Sequence, residues 1–185
     1  MKKIICLLLL ILYTGCFPNK YPKYILITFV ICDNFPLKYA EIAEKGLYEY
    51  LYKEFNIISH IEFEENNLPK QYKRYDALKL INKYQPYYYS TTILFTERDI
   101  EFKGKGVLGL SLHPGNLCIV STYRLKNKKE IWKLVTHEFI HTYFDYSHCD
   151  NDTCLMKDAM GKVNFKNKQG LCIKCRRNIK SIIEK

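Results

Sequence analysis

His137 and His141 stand four residues apart in the run His137-Glu138-Phe139-Ile140-His141. On a helix, residues at that spacing share one face, so both imidazoles can reach a single metal ion. The carboxylate of Glu138, next to the first imidazole, is then placed to take a proton from water, which is the chemistry of metal-assisted hydrolysis. Five letters alone recur by chance, and two His residues on a helix are also found as surface or core residues. The motif therefore needs support from its surroundings.

That support lies directly downstream. His148-Cys149 is followed by Cys154, Met156 and the CxxC run Cys172-Ile173-Lys174-Cys175. Two close Cys pairs separated by a loop have the arrangement of a tetrahedral four-thiolate zinc site. In an oxidising compartment, four Cys residues more often form two disulfides, and at this level both outcomes remain open. Cys32 and Cys118 lie outside the cluster, either as buried thiols or as a mutual disulfide. His60 and His113 read as surface or turn residues, and Asp99 reads as structural rather than as part of a cleft.

The elements that must position these groups follow from periodicity. Asn127 and Glu130 form a capping-box pattern that opens a helix over residues 128–144. Ile131, Val135 and Phe139 recur every four residues as a buried row. Lys133, His137 and His141 form a second row about 200° around the helix. One face is thus expected to join the core and the opposite face to be free for chemistry. Upstream, Tyr24 to Cys32 is β-branched and aromatic and reads as a buried strand. A helix from Pro36 to about Phe55 places Ala40, Ala43, Leu47, Leu51 and Phe55 on one side. Asn56 to Glu65 is a strand, Tyr72 to Lys83 a helix stopped by Pro86, and Thr91 to Thr96 a strand. Val107 to Leu112 and Leu117 to Tyr123 are two strands joined by the turn His113-Pro114-Gly115-Asn116. A last helix begins near Arg176. The order β-α-β-α-β-β-β predicts an α/β (α+β) domain with helices packed on one mixed, twisted sheet and a Cys-rich C-terminal segment.

The segment HEFIHTYFDYSHCDNDTCLM with its later CIKC resembles the archaemetzincin family of zinc metallopeptidases of the metzincin clan. The resemblance covers about forty residues, from His137 to Cys175. It implies a metzincin-like single domain over residues 24–185, with a sheet and helix part at 24–144 and a zinc-bound part at 145–185. It further implies a catalytic zinc on His137, His141 and His148, with Glu138 as general base. A second, structural zinc would sit on Cys149, Cys154, Cys172 and Cys175, giving two Zn2+ per chain. Met156 would be the Met-turn residue, an apolar floor beneath the active centre. The edge strand near Val107 to Leu112 would hold an extended peptide substrate. The family has five residues between the second and third His, with Gly at the middle. Here there are six, Thr142 to Ser147, and no Gly. Asp145 is among the few residues that tolerate the left-handed turn a Gly would supply. It is also a chemically competent oxygen ligand, so His148 and Asp145 both stand as candidates for the third position.

Composition bounds the rest. A chain of 185 residues with 48% hydrophobic and 26% charged residues has the material for one folded domain, and disorder or a coiled coil fits poorly. No stretch reaches the roughly 20 apolar residues of a membrane-spanning helix. Met1-Lys2-Lys3 followed by the apolar run Ile4 to Tyr13 reads as a signal peptide over 1–15. Tyr13-Thr14-Gly15-Cys16 resembles a bacterial lipobox, with Cys16 as the lipidated residue and 16–23 as a tether. The expected location is outside the cytoplasm, anchored by lipid to a cell-envelope membrane, or secreted or periplasmic if the leader is an ordinary one. Losing Lys2 and Lys3 lowers the formal charge of +10 by two. The remaining basic residues are scattered and give no stripe for nucleic acid. The expected partner is a peptide or protein substrate, and the expected state a monomer. A catalytically inactive, zinc-stabilised binding protein of the same fold is the alternative. A zinc-ribbon nucleic-acid binder would use the same four thiolates, but an export signal argues against it.

Overall fold

Tyr24–Ile31 (β1) has no charged residue, and in the computed structural model its residues from Ile27 to Ile31 are buried on both faces, next to the edge of the main sheet. The structure describes residues 24–32, 35–51, 56–63, 74–84, 91–112, 115–158 and 165–183. The leader, the tether and Cys16 lie outside them.

After β1 the chain forms α1 (Leu37–Leu51), β2 (Asn56–Phe63), the short β3 (Tyr75–Asp76) and α2 (Ala77–Tyr84). Next come β4 (Thr91–Thr96), β5 (Ile100–Phe102), β6 (Lys105–Val107), β7 (Gly109–Ser111) and β8 (Leu117–Ser121). Two helices, α3 (Ile131–Phe144) and α4 (Ile173–Ile183), complete the order. The main sheet runs β2-β1-β4-β8-β7, parallel except for β7, which is antiparallel to β8 and forms the edge. Burial follows the two-residue period of the strands. Ile27, Phe29, Ile93, Phe95, Cys118 and Val120 pack with residues of α1 and α3 on one face, while Val30, Leu94, Leu117 and Ile119 pack with α2 on the other. Phe29, Phe95 and Phe139 are among the largest fully buried side chains, and burying an aromatic ring of this kind contributes about 2–3 kcal/mol.

The main sheet is mixed as expected, and a second, smaller sheet accompanies it. The segment expected as a single strand over Val107 to Leu112 serves two sheets. Lys105–Val107 pairs back on Ile100–Phe102 in a second, three-stranded sheet of order β3-β5-β6. The connecting turn places Lys103 at φ 51 and Gly104 at φ 76, the two positive values that a tight two-residue hairpin requires. Leu108 is the joint, and its carbonyl accepts from Ser121 N at 2.7 Å as the chain passes into β7. The helix expected from Tyr72 begins instead at Ala77, after β3, and the last helix starts at Ile173, just after Cys172.

A 3-10 turn, Lys128–Glu130, leads into α3. Asn127 caps it, its side chain accepting from Lys129 N at 3.1 Å. Glu130 does not complete the capping box, because its carboxylate takes Lys133 Nζ at 3.0 Å. Ile131, Val135 and Phe139 are buried as expected. The opposite face is the one left for chemistry: His137 and His141 line the cleft, where β7 and the chain beyond Phe144 leave His141 5% exposed.

Candidate metal centre and cleft

The last two turns of α3 carry His137 and His141, and Asp145 ends the helix at φ 50, ψ 40, in the left-handed conformation. That single residue turns the chain back over the helix face. The six-residue connection then brings the Nε2 of His148 to 3.1 Å from that of His141, which is itself 3.0 Å from the Nε2 of His137. Asp145 thus plays the conformational part expected of a Gly. His148, and not Asp145, joins the cluster of donors.

The other ring nitrogens define what these three atoms can do. His137 Nδ1 lies 2.8 Å from the Leu155 carbonyl, and His141 Nδ1 lies 2.6 Å from the Tyr146 carbonyl. A carbonyl can only accept, so each Nδ1 carries the hydrogen and each Nε2 of this pair presents a lone pair. Lone pairs facing each other at this distance repel unless a cation lies between them. With Zn–N distances of about 2.0–2.1 Å, tetrahedral neighbours lie roughly 3.3 Å apart, close to what is found. Burial pushes the His137 imidazolium down to about 4, with the Leu155 hydrogen bond opposing, so the ring is in the neutral form that ligation needs. Three imidazoles with a fourth direction open to the cleft fit a catalytic zinc.

The four thiols form a second centre. Cys149 Sγ and Cys172 Sγ are 3.8 Å apart, and Cys154 Sγ and Cys175 Sγ are 3.6 Å apart. A disulfide requires about 2.05 Å, whereas tetrahedral thiolates at about 2.3 Å from zinc lie roughly 3.8 Å apart. All four are free, so the disulfide alternative is set aside. Burial would raise the Cys172 thiol, but the backbone of Cys175 and the neighbouring thiols bring it down to about 7. Cys172 N also donates to Cys154 Sγ at 3.4 Å. Such donors favour thiolate, the ligating form. The chemistry of this donor set fits a structural zinc.

The two centres share backbone. Leu155 follows Cys154, and Cys149 N donates to the Met156 carbonyl at 2.8 Å. Met156 is fully buried, in the apolar cluster that contains Phe139 and Ile140. The segment that orients His137 is therefore held by the thiol cluster.

Glu138 faces β7. Ser111 Oγ donates to its Oε2 at 2.8 Å, and a Cβ on Gly109 would lie 2.6 Å from its Oε1. Burial raises the Glu138 carboxyl to about 7, with the Ser111 hydrogen bond opposing. Sequence reasoning did not find Gly109 or Ser111 as site residues. The available signal was a glycine inside a strand, which marks a close backbone approach, with Ser111 two residues on and on the same face. Nor did it find the two carbonyl acceptors, since backbone groups leave no trace in side-chain identity.

Cys32 and Cys118 lie in the clusters on opposite faces of the main sheet, so they are buried thiols and not a disulfide. Asp99 is buried and pairs with both Arg74 and Arg124, a structural place as expected. The cleft above the three imidazoles has a volume of about 630 Å³, lined by Phe102, Val107 and Leu110 on one side and His148, Lys157 and Phe165 on the other.

No family model matches the chain. It is 31% identical over 106 residues to an archaemetzincin of Halobacterium salinarum, covering 48% of this chain and 60% of that protein. It is 32% identical over 100 residues to an archaemetzincin of Haloquadratum walsbyi. The chain thus spans about 60% of the length of the curated relative it matches in Halobacterium and 57% of that in Haloquadratum. The crystal structure of archaemetzincin from Methanopyrus kandleri superposes with a TM-score of 0.73 at 21% identity, over 88% of this chain and 97% of that one. That likeness shows a shared fold, a mixed α/β domain.

Proposed function

We propose that the chain is a zinc-dependent metallopeptidase of the archaemetzincin type. The observation that carries this reading is the convergence of three Nε2 atoms beside a buried carboxylate at a sheet edge. His137, His141 and His148 would hold the catalytic ion, and Cys149, Cys154, Cys172 and Cys175 the structural one. When bound, the catalytic zinc supplies Lewis acidity, lowering the pKa of water and polarising the scissile carbonyl.

The chain's own groups do the rest. Ser111 engages Oε2 of Glu138 and leaves Oε1 for proton transfer. Oε1 takes a proton from the attacking water and delivers it to the leaving amine nitrogen. A carboxyl raised to about 7 is matched to both steps near neutral pH. Among the described residues β7 is an edge of the main sheet, so an extended peptide can add to it through main-chain hydrogen bonds. Met156 serves as the buried floor of the turn that carries Leu155 and its carbonyl. All seven donors come from one chain, which suits a monomer.

Export and lipid attachment at Cys16 belong to the same proposal. They are supported by Lys2-Lys3, the apolar run that follows and the position of Cys16. Labelled fatty acid incorporated by the wild type and not by Cys16→Ser, expressed in a bacterial host, is the expected result.

The alternative, a zinc-stabilised binder without catalysis, rested on the six-residue spacing, and the placement of His148 removes that ground. The test is Glu138→Gln, assayed on a mixture of quenched fluorescent peptides. The variant is expected to keep two zinc ions per chain and lose hydrolysis. Cleavage by it at the wild-type rate would defeat the proposal.

A further inference from the structure

Of the charged groups that line the cleft without a part in the chemistry above, among them Lys157, Asp158 and Lys168, Arg124 is the one held in a fixed plane by a buried carboxylate. Arg124, in the loop after β8, lines the same cavity as the three imidazoles. Its Nε donates to Asp99 Oδ1 at 2.7 Å and its Nη2 to Asp99 Oδ2 at 2.8 Å. This two-point pairing fixes the plane of the guanidinium. Asp99 also accepts from Arg74 Nε at 3.0 Å, so one buried carboxylate neutralises only one of two guanidinium groups. The trio therefore carries a surplus positive charge. Arg124 is 31% exposed and, among the described residues, its Nη1 has no partner.

The backbone makes room for it. A Cβ on Gly106 would lie 2.3 Å from the Arg124 Cζ and 2.4 Å from Nη2, so the guanidinium lies directly against the main chain of β6. β6 is the edge of the small sheet as β7 is the edge of the large one. The two follow each other along the cleft, Gly106 against Arg124 and Gly109 against Glu138. Three residues of strand span at most about 10 Å, so a peptide laid along both edges would meet Arg124 two or three residues from the bond being cut.

We propose that Arg124 is a specificity-determining residue that binds a substrate carboxylate two or three residues from the scissile bond. The carboxylate is that of an Asp or Glu side chain or of a peptide C-terminus. This rests on the peptidase reading of the same site. A pre-oriented guanidinium with spare N–H groups recognises a carboxylate better than a neutral amide, and a charge-assisted hydrogen bond of this kind corresponds to about ten- to hundredfold in binding.

The test uses the zinc-loaded full chain and matched peptides. One set carries Asp or Glu against Asn or Gln at each position out to three from the cut, and another a free C-terminus against a C-terminal amide. Hydrolysis is measured on the wild type, Arg124→Gln, Arg124→Lys and Arg74→Gln. Binding of labelled peptides is measured by fluorescence anisotropy on Glu138→Gln with and without Arg124→Gln. The wild type is expected to prefer the carboxylate-bearing peptide by tenfold or more, through KM. Arg124→Gln abolishes the preference, Arg124→Lys keeps part of it, and Arg74→Gln, which loosens the same Asp99 away from the cleft, keeps it. The two peptide sets separate side-chain from terminal carboxylates. Cleavage with no such preference, or equal effects of Arg124→Gln and Arg74→Gln, overturns the role of Arg124 and leaves the peptidase reading standing. Selective binding without cleavage by the wild type leaves Arg124 standing and defeats the peptidase reading. Neither binding nor cleavage defeats both.

Discussion

Gly109→Ala probes the active centre without replacing a ligand or the general base. The added Cβ would lie 2.6 Å from Glu138 Oε1 and 2.8 Å from its Cδ and Cγ, whereas ordinary contact begins at 3.4 Å. The carboxylate must therefore retreat by roughly 0.8 Å, or β7 must move away and carry Ser111 with it. Gly109 has an ordinary φ that Ala adopts, and the obstructing atoms are the end of a side chain, so the fold accommodates the change. Stability should change by less than about 1 kcal/mol, since Ala in a strand offsets part of the contact strain. Catalysis should not tolerate it, because a displacement near 1 Å of a group that must meet a reacting proton costs on the order of 100-fold. The assay compares kcat, zinc content and Tm with the wild type. A loss of about 100-fold in kcat, with two zinc ions and a Tm within a few degrees, is expected. A wild-type kcat in a folded, fully loaded Gly109→Ala chain would refute the argument that β7 places Glu138.

Three other outcomes follow from the same geometry. Ser111→Ala removes the hydrogen bond to Oε2 and should lower kcat about tenfold with zinc content unchanged; unaltered kinetics would show that Ser111 does not orient the carboxylate. Asp145→Asn should keep both metals, since Asn also adopts the left-handed conformation, whereas Asp145→Ala should cost about 1 kcal/mol in denaturant unfolding; loss of a zinc ion from the Asn variant would make Asp145 a ligand after all. Cys154→Ser should lose the structural zinc and also weaken the catalytic site by about ten- to hundredfold in zinc affinity, because the Leu155 carbonyl that orients His137 is held next to Cys154. Unchanged affinity, measured by chelator competition, would show the two centres to be independent.

Most of the site was legible in the sequence because metal ligation is carried by side-chain type and spacing. His137 and His141 at helical spacing, and four thiols in two pairs, converge as their positions require. The αL role of Asp145 was legible too, since few residues other than Gly adopt that conformation. The division of residues 105–111 between two sheets was not. It depends on a Lys103-Gly104 turn whose first residue gives no strong sign, and on the Leu108 carbonyl, which any residue would supply. The depth at which the chemical face of α3 is buried was not legible for a related reason. Periodicity reports which residues are apolar, and here the second covered face is occupied by Glu138 and His141, polar groups buried for chemistry. Arg124 was passed over because a single Arg outside any cluster looks like a surface charge until Gly106 and Asp99 are seen around it.

His137, His141 and His148 are placed to close on one metal ion in this chain, and four thiolates to hold another. Zinc content of the purified protein, wild type beside His148→Ala, tests it most directly. Two zinc ions per chain are expected for the wild type and one for the variant, with the thiolate-bound ion retained. Two zinc ions in a folded His148→Ala protein would contradict it.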